Sequence, residues 1–66
     1  MQVTINGRPH QVAGRVSLAQ AVALLTSARS GVAAAVNGAV VPRAAWDSTA
    51  LAEDDEVEVL TAVQGG

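Results

Sequence analysis

Met1-Gln2-Val3-Thr4-Ile5-Asn6-Gly7-Arg8-Pro9-His10-Gln11-Val12 sets the frame for the whole chain. Met1, Val3 and Ile5 fall on one face and Gln2 and Thr4 on the other, which is the period of a strand with one side buried. Asn6-Gly7 then offers two residues that accept positive φ, the strongest short signal for a tight hairpin. The returning strand runs to about Val12, and Pro9 within it lacks an N–H, which assigns that strand to a sheet edge. Ser17 opens a helix as the first residue of a Ser-x-x-Gln capping box closed by Gln20. Leu18, Ala21, Val22 and Leu25 form its apolar stripe, widened by Leu24 and Ala28. The helix is predicted to end near Ser27–Ser30, with Gly31 as the stop.

Beyond the helix the pattern repeats. Val32-Ala33-Ala34-Ala35-Val36 is a short apolar run with glycine near both ends, read as a buried strand. It is followed by a second Asn-Gly at Asn37-Gly38, a return through Val40 and Val41, and Pro42 at what should be another edge. Arg43 to Leu51 reads as an irregular connection with room for one helical turn. Glu53-Asp54-Asp55 makes a turn, and Glu56 to Val63 alternates as the last strand, with Val57, Val59, Thr61 and Val63 on one face. Two hairpins joined by a helix place that helix across one face of a sheet, with the first and last strands paired at its centre. The expectation is an α+β fold of β-grasp type: a mixed sheet of four to five strands in the order 2-1-5-3-4 on one helix. Residues 1–63 would form the domain and 64–66 a flexible tail.

Composition narrows the function. A chain of 66 residues buries only roughly 60% of the surface it exposes when unfolded, so it has no room for a deep enclosed substrate cavity. Its apolar half is nearly all Ala and Val, with no Phe or Tyr and a single Trp. Trp46 is therefore read as a core residue closing a gap that small side chains leave. Cysteine is absent, which excludes a disulfide, a thiolate nucleophile and cysteine metal sites. Arg8, Arg15 and Arg29 lie in the first half. Asp47, Glu53, Asp54, Asp55, Glu56 and Glu58 crowd the second against Arg43 alone, giving a net charge of −2. Without a basic patch, nucleic acid is not an expected partner. The acidic cluster is either a solvated turn or a surface that steers a basic protein partner. Met1–Ile5 reads as a strand rather than a leader, and no run approaches the length of a membrane span, so no membrane is expected and the expected location is cytoplasmic.

No catalytic constellation is visible. His10 stands on a predicted edge strand with no acid or nucleophile near it in sequence. The carboxylates are bunched in one turn without metal-loop spacing, and the glycines match no phosphate-binding fingerprint. As an enzyme on its own the chain looks empty, with no metal and no bound cofactor expected. The unusual feature is Gln64-Gly65-Gly66. Gly66 would offer a carboxylate with no side chain crowding it, and Gly65 lets the backbone follow a narrow channel. The last three residues reach roughly 10 Å, enough to enter another protein's active site while the globule docks outside. A frayed end is the competing reading. Leu60 and Ala62 should face away from the helix just before the tail, where they either dock a partner or are covered by neighbouring side chains.

Ile5-Asn6-Gly7, Val36-Asn37-Gly38, Val41-Pro42-Arg43 with Trp46 three residues on, and Val63-Gln64-Gly65-Gly66 are spread over nearly the whole chain. Together they resemble the ThiS family, the sulfur carrier proteins of thiamine thiazole biosynthesis. Terminal Gly-Gly alone is shared with ubiquitin-like modifiers and molybdopterin-synthase small subunits; the Val-Pro-Arg-x-x-Trp stretch is what favours ThiS. The resemblance implies that Gly66, with Gly65 beside it, is the working end. A ThiF-type enzyme would adenylate Gly66 with ATP, a sulfur donor protein would convert it to a thiocarboxylate, and a ThiG-type thiazole synthase would take the sulfur. A carrier for molybdopterin or another thio-cofactor, a protein modifier, and an interaction module with an inert tail stand as alternatives. The chain departs from the family at Asp54-Asp55, where Gly-Asp is common.

Overall fold

Both Asn-Gly pairs adopt the left-handed backbone their sequence invites, with φ of 51° at Asn6 and 79° at Gly7, and 51° at Asn37 and 85° at Gly38. Paired positive φ values give a turn whose twist matches that of the flanking strands. The first joins β1 (Gln2–Ile5) to β2 (Arg8–Gln11), and the second joins β3 (Val32–Val36) to β4 (Ala39–Val41). In this computed structural model, which describes residues 1–27 and 30–61, β5 (Glu56–Thr61) inserts between the hairpins. The five-stranded sheet has the order β2-β1-β5-β3-β4, with β1 and β5 parallel and every other pair antiparallel. This is the topology read from the sequence.

The helix α1 (Leu18–Leu25) covers one face of that sheet. Its N-terminal donors are all satisfied. The Ser17 hydroxyl accepts from the Gln20 N–H at 3.2 Å and the Gln20 side chain accepts from the Ser17 N–H at 2.8 Å. The Leu18 and Ala19 N–H groups donate to the carbonyls of Thr49 and Trp46, so the segment after β4 serves as part of the cap. Leu18, Ala21 and Val22 meet Val3, Ile5, Ala34, Val57 and Val59 from the sheet, with Trp46 and Leu51 closing the side. Pro42 precedes a short 3-10 turn, Arg43–Ala45, which delivers Trp46 to the core. The indole Nε1 donates to the Val41 carbonyl at 2.9 Å. Pro9, in a non-hydrogen-bonded pair with Thr4, removes an outward donor from β2, one edge of the sheet. The β2 edge is thereby blunted against further strand pairing.

Two local readings are corrected. The helix ends at Leu25 rather than near Ser27–Ser30. Thr26 is already extended, at φ −151° and ψ 147°, and its N–H donates to the Val22 carbonyl. A β-branched residue followed by Ser is a weak helix continuation, and Gly31, at φ 71°, turns the chain into β3 instead of capping the helix. Leu24, read as widening the stripe, is 58% exposed because 3.6 residues per turn carry it about 100° away from the stripe's centre; Leu25, on the stripe but in the last turn, is 43% exposed. The run Val32–Val36 is also not buried on both faces: Ala34 is in the core, whereas Ala33 is exposed.

The turn before β5 keeps its geometry at a conformational cost. Asp54 holds φ of 66° and donates its N–H to the Gln2 carbonyl at 2.7 Å. The Asp55 carboxylate accepts from the Ala52 N–H at 2.7 Å and from the Asn37 amide at 3.0 Å. Asp tolerates left-handed backbone better than most residues but less well than glycine. Asp54→Gly is therefore expected to raise stability by up to about 1 kcal/mol, read as a higher urea midpoint at unchanged slope. A lower midpoint would show that the Asp54 side chain contributes more than its backbone strain removes.

Candidate functional site

The alternation of β5 decides what faces out. Val57 and Val59 point into the core, 1% and 5% exposed, so Glu56, Glu58 and Leu60 occupy the opposite face. Among the described residues no second layer covers that face, and Leu60 is 71% exposed. Register then assembles its neighbours. Leu60 stands opposite Ala33, and Ala35 lies between Glu58 on β5 and Val40 on β4. Two small alanines thus form a floor between one wall at Leu60 and a second at Val40, which is 78% exposed. The resulting depression, of about 230 Å³, is lined by Ala33, Ala34, Ala35, Gly38, Val40, Glu58 and Leu60. An apolar valley with one carboxylate at its side is suited to receiving an aliphatic side chain flanked by a cation.

The sequence-predicted site residues divide accordingly. Leu60 faces away from the helix, as its place in the strand requires. Ala62, Gln64, Gly65 and Gly66, together with the 63/64 boundary between domain and tail, lie outside the described residues. Val40 was missed, although its position was computable: a two-residue turn at Asn37-Gly38 sets Val36 opposite Ala39 and therefore Ala35 opposite Val40. The side chains of Asn6 and Asn37 were also missed as anchors of β5. The Asn6 amide donates to the Val59 carbonyl at 3.1 Å and accepts from the Val59 N–H at 2.8 Å. Asn37 accepts from the Glu56 N–H at 2.9 Å.

The remaining chemistry-bearing groups do not gather. His10, half-buried on β2, is in register with Val3. Among the described residues no three His, Cys, Asp or Glu side chains converge as metal ligands, and none of the buried side chains is polar or charged. Among the same residues no helix is long and apolar enough to cross a membrane.

Known proteins with this architecture are close in sequence as well as shape. The solved crystal structure of the thiamine biosynthesis protein ThiS from Geobacter metallireducens superposes with a TM-score of 0.79 at 33% identity, covering 100% of both chains. The solution structure of a thiamine biosynthesis protein from the same organism gives 0.80 at 33% identity, over 100% of this chain and 88% of the other. A thiazole synthase from Magnetococcus marinus is 35% identical over 66 residues; this chain is matched along its full length but spans only 20% of that protein. The sequence profile of the ThiS family matches residues 3–66. The chain belongs to the ThiS family.

Proposed function

We propose that this chain is a sulfur carrier of thiamine biosynthesis, acting as a co-substrate rather than as an enzyme. The observation that carries the reading is the exposed valley at Leu60, on the strand that the sequence continues into Gln64-Gly65-Gly66, in a member of the ThiS family. A partner seated on that valley would have the tail delivered to its active site. A ThiF-type enzyme binds ATP and lets the Gly66 carboxylate attack the α-phosphorus, releasing pyrophosphate and forming an acyl-adenylate. The terminal sulfur of a donor protein's persulfide then attacks the acyl carbon and AMP leaves, giving an acyl disulfide; two thiols reduce its S–S bond, becoming a disulfide themselves and releasing the thiocarboxylate and the donor thiol. A ThiG-type thiazole synthase takes that sulfur; the likeness of this chain to a stretch of a thiazole synthase supports such a partner. No cofactor need be held by the carrier itself.

Intact mass spectrometry after incubation with a ThiF-type enzyme, ATP, a persulfide donor and a thiol reductant tests the reading. One sulfur-for-oxygen exchange is expected in the wild-type chain and none after deletion of Gly66, with the circular dichroism of the two indistinguishable. A chain that stays unmodified is an inert interaction module. A chain that is loaded but gives no thiazole with the synthase serves another thio-cofactor, molybdopterin included.

A further inference from the structure

The parallel ladder between β1 and β5 stops early. Its last register pair is Ile5 with Val57, and the Asn6 N–H donates to the Val57 carbonyl at 2.9 Å. At Asn6 the backbone turns left-handed and leaves for β2, so the next residue of β5 that faces β1, Val59, has no strand to pair with on that side. The Asn6 side chain fills the gap. Its amide is planar, with one donor edge and one acceptor edge like a peptide unit, and it meets both the Val59 carbonyl and the Val59 N–H at 3.1 and 2.8 Å in a half-buried setting. Beyond this point Leu60 and Thr61 are in register only with β3, opposite Ala33 and Val32.

We infer that Asn6 is a positioning residue whose amide acts as a surrogate rung, fixing the terminal half of β5 and hence the direction in which Leu60 and the segment after Thr61 meet a partner. The link to loading rests on the carrier reading above; the hold on β5 does not. Few residues could do both tasks. Glycine keeps the turn and loses the rung, aspartate accepts but cannot donate, and a β-branched residue is excluded by the positive φ. Asn37 supplies an internal comparison, because its amide is bonded to Glu56 and Asp55 at the opposite end of the same strand.

The test compares Asn6→Gly with Asn37→Gly, both of which preserve the turn. Native-state amide exchange in Asn6→Gly should accelerate about tenfold at Val59, Leu60 and Thr61, the equivalent of about one lost hydrogen bond, while Val3 and Val57 hold their protection. Adenylation by a ThiF-type enzyme, measured well below the melting temperature of both variants, should fall about tenfold in Asn6→Gly, chiefly in kcat, because the carboxylate is presented off-line. Asn37→Gly should load at the wild-type rate. The inference is overturned if Asn6→Gly exchanges faster throughout the chain, if exchange at Leu60 and Thr61 is unchanged, or if the two variants are equally impaired in loading. A wild-type chain that is never adenylated would defeat the carrier reading, and the exchange pattern alone would then decide whether Asn6 holds β5.

Discussion

Trp46→Ala is expected to leave the chain largely unfolded. The indole is the only aromatic group in the sequence, is 7% exposed, and fills the space between the helix and the open side of a sheet built from Val and Ala. Truncating a buried aromatic residue costs about 3–5 kcal/mol through lost transfer energy and the cavity left behind. A domain of this length has a total margin of only about 3–10 kcal/mol. The substitution also removes the indole's hydrogen bond to the Val41 carbonyl and the surface beneath the Arg43 guanidinium, which lies 5.5 Å from the ring centroid. Far-UV circular dichroism with urea titration is the measurement. Trp46→Phe, which keeps most of the volume but not the N–H, should lose about 1–3 kcal/mol. A cooperative transition in Trp46→Ala within about 1 kcal/mol of wild type would mean the core closes without the indole.

Leu60→Arg is expected to weaken association with the activating enzyme about thirty-fold, as for a residue at the centre of a docking patch. Stability should shift by less than about 1 kcal/mol, since the side chain lies outside the core. The sign of the new charge matters as much as the lost apolar contact. Glu56 and Glu58 share this face. Arg8, by contrast, lies on the side of the sheet occupied by Ile5. A partner complementary to an acidic rim carries cations, which a guanidinium introduced here would repel and a carboxylate would not. Leu60→Glu should therefore bind better than Leu60→Arg, and added salt should narrow the gap between them. Equal losses from the two variants would argue for an apolar contact without charge steering. A large drop in stability with affinity retained would assign Leu60 to packing.

The parts of the architecture legible in the sequence are those governed by local chemistry. Asn-Gly demanded a hairpin twice, Ser17 and Gln20 demanded a helix start, and the two prolines sorted strands to the edges. What escaped depends on tertiary geometry. Leu25 continues the helical period, but whether it is covered depends on where the sheet ends, and Leu24 is apolar yet lies off the stripe. The alanine run suggested burial on both faces because its composition is apolar throughout. Only the sheet shows that Ala34 meets the core while Ala33 and Ala35 floor an open valley. Asn6 and Asn37 were read for their backbone alone. Their side-chain bonds span 53 and 19 positions in sequence, a separation at which no local pattern gives warning.

The central strands β1 and β5 run in the same direction, so the chain enters the sheet at one pole, beside the acidic turn, and Thr61 departs from the other. Anything fastened ahead of β1, whether an affinity handle or a much larger protein body, would project from the rear of the molecule and leave its front clear. A purification tag there should be harmless, and a covalent tether to another protein would leave the opposite pole as accessible as before.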